Sequence, residues 1–127
     1  MTVSELYNTA LALLNEVDTD AKDYPKLKIP YINLLLAQCF TTENWIRRSK
    51  RIEILESIPA VCKDSDVLIY DEAYTRECLP YALAAMLAID EDRDLANVYS
   101  RMYENLAEKY LKIFHDAVTD RYGEAAE

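Results

Sequence analysis

The densest apolar pattern in the chain lies at residues 79–114, LPYALAAMLAIDEDRDLANVYSRMYENLAEKYLKIF, and it predicts two helices joined by an acidic turn. The first part is apolar nearly all round (Leu79, Ala82, Leu83, Ala85, Met86, Leu87, Ala88, Ile89), the pattern of a helix buried on most sides. The second carries a stripe at Leu95, Tyr99, Met102, Leu106, Tyr110 and Phe114, spaced by three or four residues, which is the helical period. A helix buried on all sides needs partners, and the rest of the chain must supply them.

The same reading gives the remaining elements. Thr2 and Glu5 fit a capping box that opens a helix over about residues 3–17, with Val3, Leu6, Tyr7, Ala10, Leu11, Leu13, Leu14 and Val17 apolar. Asp18, Asp20 and Asp23 mark a loop. Tyr24-Pro25 and Ile29-Pro30 bias the chain away from helix, so a second helix is expected from Pro30 to Lys50, with at most a loose turn before it. Its inward stripe is Ile32, Leu35, Leu36, Cys39, Phe40 and Ile46. Residues 52–71 break the helical rhythm with β-prone Ile52, Ile54, Ile58, Val61 and Val67-Leu68-Ile69-Tyr70 around a turn at Lys63–Asp66. They predict either a two-stranded hairpin or an extended arm that packs on the helices or pairs with a neighbouring subunit. Asp71 or Thr75 can cap a short lead-in turn before Pro80, with the main third helix following to about Ile89, so that 72–89 is largely helical. A fourth helix is expected over about 92–118, followed by a fraying acidic tail at 119–127. The fold class is all-α, a single small domain resembling a four-helix bundle with a β-prone arm between helices two and three.

Composition narrows the class. One domain is expected from 127 residues, and a single Gly with four Pro leaves little room for the turns of an all-β fold. No apolar run approaches a membrane span, and MTVSELYNTA lacks the basic region and cleavage site of a secretory leader, so a protein free of membranes is expected. Cys39, Cys62 and Cys78 have no CxxC spacing and read as reduced, partly buried small hydrophobes in a reducing cytoplasm. The net charge is −9, unevenly spread. Residues 25–51 hold six bases and one acid, whereas 52–127 hold seventeen acids and seven bases. Such a chain is a poor free nucleic-acid binder, and better suited to lining something that should not adhere to DNA.

No constellation for catalysis emerges. His115 is the only histidine and has no nucleophile pattern beside it. The acids at 90, 92 and 94 imitate half a calcium loop, but Leu95 and Arg101 stand where glycine and glutamate are required. There is no Glu-x-x-His pair for a di-iron site, and Gly123 alone cannot make a phosphate loop. An enzyme is not expected, and no cofactor or metal is called for. Two features point instead to contacts. Trp45, Arg47, Arg48, Lys50 and Arg51 form a basic helix end with an aromatic beside it, read either as favourable capping of the helix dipole or as a patch for an acidic partner. Tyrosine is over-represented, ten against two Phe and one Trp, which suits half-wet seams and interfaces. Tyr99 and Tyr110 fit the core stripe. Tyr81 and Tyr103 lie off it and are candidates for a partner surface, with Val67, Ile69 and Tyr70 of the arm.

The order of these pieces is YPKLKIPYINLLLAQCFTTENWI, then DSDVLIYDE, then LPYALAAMLAIDEDRDLANVYSRMYENLAEKY. It resembles the small head–tail connector (adaptor, or head-completion) proteins of tailed bacteriophages and prophages. The resemblance spans roughly residues 3–112, and its most specific pieces are Leu79-Pro80-Tyr81 with Ala84 and Leu87, then Asp94 and Tyr103. It implies a structural virion protein, made in the bacterial host cytoplasm, that joins the portal ring to the next tail component. Such a protein assembles as a ring, usually in twelvefold copies, retains the packaged DNA, and meets that DNA only as it passes through a channel. One departure is the short connection between helices two and three, which leaves little length for an arm sealing the channel. The tail after Val118 could order on the portal. Two other classes fit the residues without the resemblance: a small cytoplasmic helical adaptor or regulator, and a nucleic-acid binder using Trp45 to Arg51.

Overall fold

The computed structural model of the chain describes residues 1–15 and 24–123, with side chains up to Lys112. It is an all-α domain, with six helices and no strands among the described residues. In chain order they are α1 (Val3–Leu13), α2 (Tyr24–Gln38), α3 (Phe40–Ser49), α4 (Glu72–Glu77), α5 (Leu79–Ala88) and α6 (Arg93–Gly123). The expected residues Val17, Asp18, Asp20 and Asp23, the His115 side chain and residues 124–127 lie outside the described part.

The start of α1 follows from its cap. The Thr2 hydroxyl accepts from the Glu5 N–H at 3.2 Å and donates to the Glu5 carboxylate at 3.3 Å. Val3, Leu6, Tyr7, Ala10 and Leu11 then fall on one buried face at helical spacing. The helix stops at Leu13, short of the expected Val17, because Asn15 turns left-handed (φ 57°) and its N–H closes onto the Ala12 carbonyl. Asparagine tolerates this conformation, and it ends helices as glycine does.

The expected helix from Pro30 to Lys50 is corrected at both its start and its middle. It begins at Tyr24, with Pro25 in the first turn and Pro30 inside. Pro30 lies on the exposed side, where the Lys26 carbonyl that loses its partner can meet water. Tyr24 is buried and its hydroxyl donates to Glu91 at 3.4 Å, a tertiary anchor that outweighs the local bias of the residue before a proline. The helix then breaks for one residue at Cys39 (φ −96°, ψ 4°), ahead of the weak helix formers Phe40, Thr41 and Thr42. Within the expected 72–89 span, the lead-in before Pro80 is a short helix of its own, separate from the main one. Pro80 has no N–H to offer the Arg76 carbonyl, so α4 ends at Glu77 and α5 begins after Cys78. The Asp71 carboxylate caps α4 by accepting from the Tyr74 N–H at 3.0 Å.

The core gathers the inner faces of α1, α2, α4 and α5, and α6 lies across α5 and α3. Leu79, Leu83, Ala84 and Leu87 make α5 the central element. Ala82, Ala85 and Met86 are half-buried, and Ile89, expected inside, stands beyond the helix end at 51% exposure. The α6 helix continues to Gly123, so residues 119–123 are helical where a fraying tail was expected; no proline or glycine interrupts the stretch before Gly123.

Candidate interaction surface

Between Lys50 and Glu72 the chain forms the extended arm, and the hairpin alternative is not taken. In place of a second strand of its own, the arm pairs with the start of the chain. Thr2 and Val67 form an isolated antiparallel bridge, Val3 N–H donates to the Asp66 carbonyl at 3.0 Å, and Leu68 N–H donates to the Met1 carbonyl at 2.9 Å. The turn before it is closed by the Asp66 carboxylate, which accepts from the Cys62 and Lys63 N–H groups at 2.7 and 3.1 Å. Those two donors hold the Asp66 carboxyl below its ordinary range.

Side chains from α2 and α3 fasten the rest of the arm. The Asn44 amide grips Leu55 on both backbone groups, donating to its carbonyl at 3.1 Å and accepting from its N–H at 2.9 Å. Asn33 grips Val61 in the same way, at 3.0 and 2.8 Å. Each amide supplies the donor–acceptor pair that a neighbouring strand would have offered. At the arm's root, Arg47 pairs with Glu43 at 2.7 Å and donates to the carbonyls of Glu53 (3.1 Å) and Ile69 (2.9 Å). Glu43 is fully buried and also accepts from the Asp71 N–H at 2.7 Å. Burial pushes the Glu43 carboxyl up despite these donors. Lys50 pairs with Asp71. One connected polar network therefore ties α3, the arm and the cap of α4 together.

This fastening decides what the arm shows to solvent. Along 67–70 the side chains alternate, with Leu68 and Tyr70 buried and Val67 and Ile69 exposed at 64% and 51%. Ile52, Ile54 and Ile58 are also exposed. Trp45 is 37% exposed on α3, and Arg48, Lys50 and Arg51 are exposed at its end. Arg51 itself is left-handed (φ 59°). Its N–H meets the Arg48 carbonyl and the Ile52 N–H meets the Arg47 carbonyl, a Schellman closure with arginine where glycine is usual.

Four of the residues expected at a partner surface are buried, half-buried or engaged within the chain instead. Arg47 is spent on Glu43 and the arm backbone. Tyr70 is 3% exposed and its hydroxyl donates to the Leu36 carbonyl. Tyr103 is half-buried, with its hydroxyl 2.6 Å from the Tyr74 hydroxyl and 3.2 Å from Cys39 Sγ. Burial pushes the Cys39 thiol up and the Tyr74 and Tyr103 phenols well above their ordinary values, so the cluster is protonated at neutral pH. Tyr81 is half-buried against Tyr99, ring centroids 6.2 Å apart. Trp45, Arg48, Lys50, Arg51, Val67 and Ile69 remain outward, joined by Ile54 and Ile58.

A groove of about 340 Å³ lies away from the arm, between α2, α5 and α6, floored by Leu35, Cys39, Ala82, Met86 and Ala96. Among the described residues no group of three His, Cys, Asp or Glu is placed to hold a metal ion, and no helix is long and apolar enough to cross a membrane. Searches against protein-family models, curated proteins and solved structures find no match to this chain.

Proposed function

We propose that the protein is a structural, non-enzymatic connector of a phage or prophage head–tail junction. It is made in the host cytoplasm and built into the virion on the portal ring, where it offers a seat for the next tail component and helps retain packaged DNA. The observation that carries this reading is the arm: a non-helical segment pinned to the body by polar side chains while its isoleucines face solvent. Apolar side chains held outward on a pre-ordered backbone lose little entropy on docking, which suits a contact with another protein. The element order that resembles head–tail connectors supplies the identity of that partner. Ring formation, in copies matched to the portal, belongs to the same reading, and no cofactor is assigned. The net charge of −9 favours a wall past which DNA slides over a surface that grips it, since Arg47 and Lys50 are already paired within the chain.

The test is native mass spectrometry of the protein co-expressed with the portal protein of its own genome. A portal ring carrying a matching number of these chains is expected. Val67→Asp with Ile69→Asp is expected to abolish the decoration while leaving the helical circular dichroism unchanged. An intact portal ring that takes up none of the wild-type chain overturns the proposal and leaves the cytoplasmic helical adaptor, for which the same arm would serve.

A further inference from the structure

Charge is segregated in this chain between two exposed places that each carry an exposed isoleucine. The first is the end of α3, where Arg48, Lys50 and Arg51 are exposed and Ile52 follows at 51% exposure. The second is the turn into α6, where Ile89, also at 51% exposure, is followed by exposed Asp90, Glu91, Asp92 and Asp94 with one base, Arg93, among them. Asp92 also caps α6 by accepting from the Leu95 N–H at 3.0 Å. Ile89 lines the groove between α2, α5 and α6, so apolar space is open beside it.

These places lie far apart in one molecule. From Arg93, just after Asp92, α6 runs about 15 Å at helical rise before Tyr103 meets Cys39, where α3 begins. The α3 helix then runs about 15 Å to its basic end, which is held by Asp71. Asp71 caps the helix whose Tyr74 ring packs on Tyr110, 5.6 Å between centroids, so this end lies further along α6 than Tyr103 and away from Asp92. The arm and the groove also face oppositely across α2. Asn33 reaches the arm, whereas Leu35 and Gln38 line the groove, 200° and 140° round the helix from Asn33 by the 100° step. A surface and its complement on different sides of one molecule make a heterologous contact, in which each copy uses one face and leaves the other free.

We propose that copies of this chain join head to tail, with Arg48, Arg51 and Ile52 of one copy seated on Ile89 and the acidic turn at Asp90–Asp94 of the next. This deepens the connector reading by naming the copy-to-copy contact, and it rests on that reading only for the closing of such a series into a ring. Opposite charges steer and register the contact, while the two isoleucines leave water together.

Sedimentation of the full chain at low salt tests it, in the absence of portal, up to about 1 mM, the range in which weak contacts populate. The wild type is expected to gain mass with concentration, and added salt to weaken that gain. Ile52→Asp and Ile89→Asp each alter one exposed face, so each alone is expected to remain monomeric with unchanged circular dichroism. Mixed in equal amounts they are expected to form a dimer that grows no further, because the mixture contains one intact pair of faces. A wild type that stays monomeric overturns the proposal, as does a single variant that still dimerises, which would mean a symmetric contact. A monomeric wild type that nevertheless decorates the portal removes this contact and leaves the connector reading. Self-association without portal capture does the reverse.

Discussion

Among the described residues, two that are not glycine hold left-handed backbone, and they are not equivalent. Asn15 takes that conformation with little penalty, whereas Arg51 has an ordinary side chain and takes it at a cost. Arg51→Gly is therefore expected to raise stability by up to about 1 kcal/mol, read as a higher urea midpoint with unchanged slope. A lower midpoint would show that the arginine side chain contributes more than its backbone costs. Tyrosine shows how far residue-level reading reaches. Its excess is visible in composition, and Tyr99 and Tyr110 are legible as core from their spacing. Tyr103 is not, since its inward role depends on Cys39 and Tyr74, distant in sequence, meeting it through hydroxyl and thiol tips. The period of a helix says which side a residue faces, and nothing about what waits there.

At the scale of elements, α1 and α6 are legible from the helical spacing of their apolar residues, although not in where they end, and α5 from being apolar nearly all round. The differences fall at Asn15, Pro30 and Cys39 and in residues 119–123, where local bias and longer-range structure compete. The arm was recognisable as non-helical from its β-branched residues, but not its fastening: Asn33 and Asn44 look like ordinary polar positions on a helix. Their role has a direct test. Asn44→Ala is expected to cost about 1–2 kcal/mol, because the Leu55 backbone loses a donor and an acceptor together. Hydrogen exchange should then speed at Leu55 while Val61, gripped by Asn33, keeps its protection. Asn33→Ala should give the converse. Equal loss at both sites would mean that the arm opens as one unit.

Over the whole molecule, acid is the informative variable. Burial raises the Asp71 carboxyl, but Lys50 and the Tyr74 and Ala73 N–H groups outweigh it and hold the carboxyl low. Asp66 is held low by two backbone donors, and Glu72 by Arg76 and the amino terminus. Groups whose carboxyls sit lower folded than unfolded lend stability above their ordinary range and lose it as pH falls through the folded value. Glu43 has the opposite sign: the folded state takes up its proton first, which offsets part of that loss. Three carboxylates against one predict a net fall in the urea midpoint from about pH 4 downward, and Asp71→Asn is expected to flatten it. A midpoint that rises on acidification would mean that Glu43 dominates. The all-α character of the molecule could be read from the helical spacing of its apolar residues and the scarcity of glycine. Which residues close the network around Glu43 could not, because its members come from α3, the arm and the start of α4.

That scarcity of glycine acts outside the folded state as well. With one Gly in 127 residues, the unfolded chain samples a narrower range of backbone conformations than a glycine-rich chain of equal length. Ordering the arm and closing the turns at Asn15 and Arg51 therefore sacrifices less disorder than those shapes would demand of glycine. Part of the stability of this domain resides in no contact at all, but in freedom that the unfolded chain does not possess.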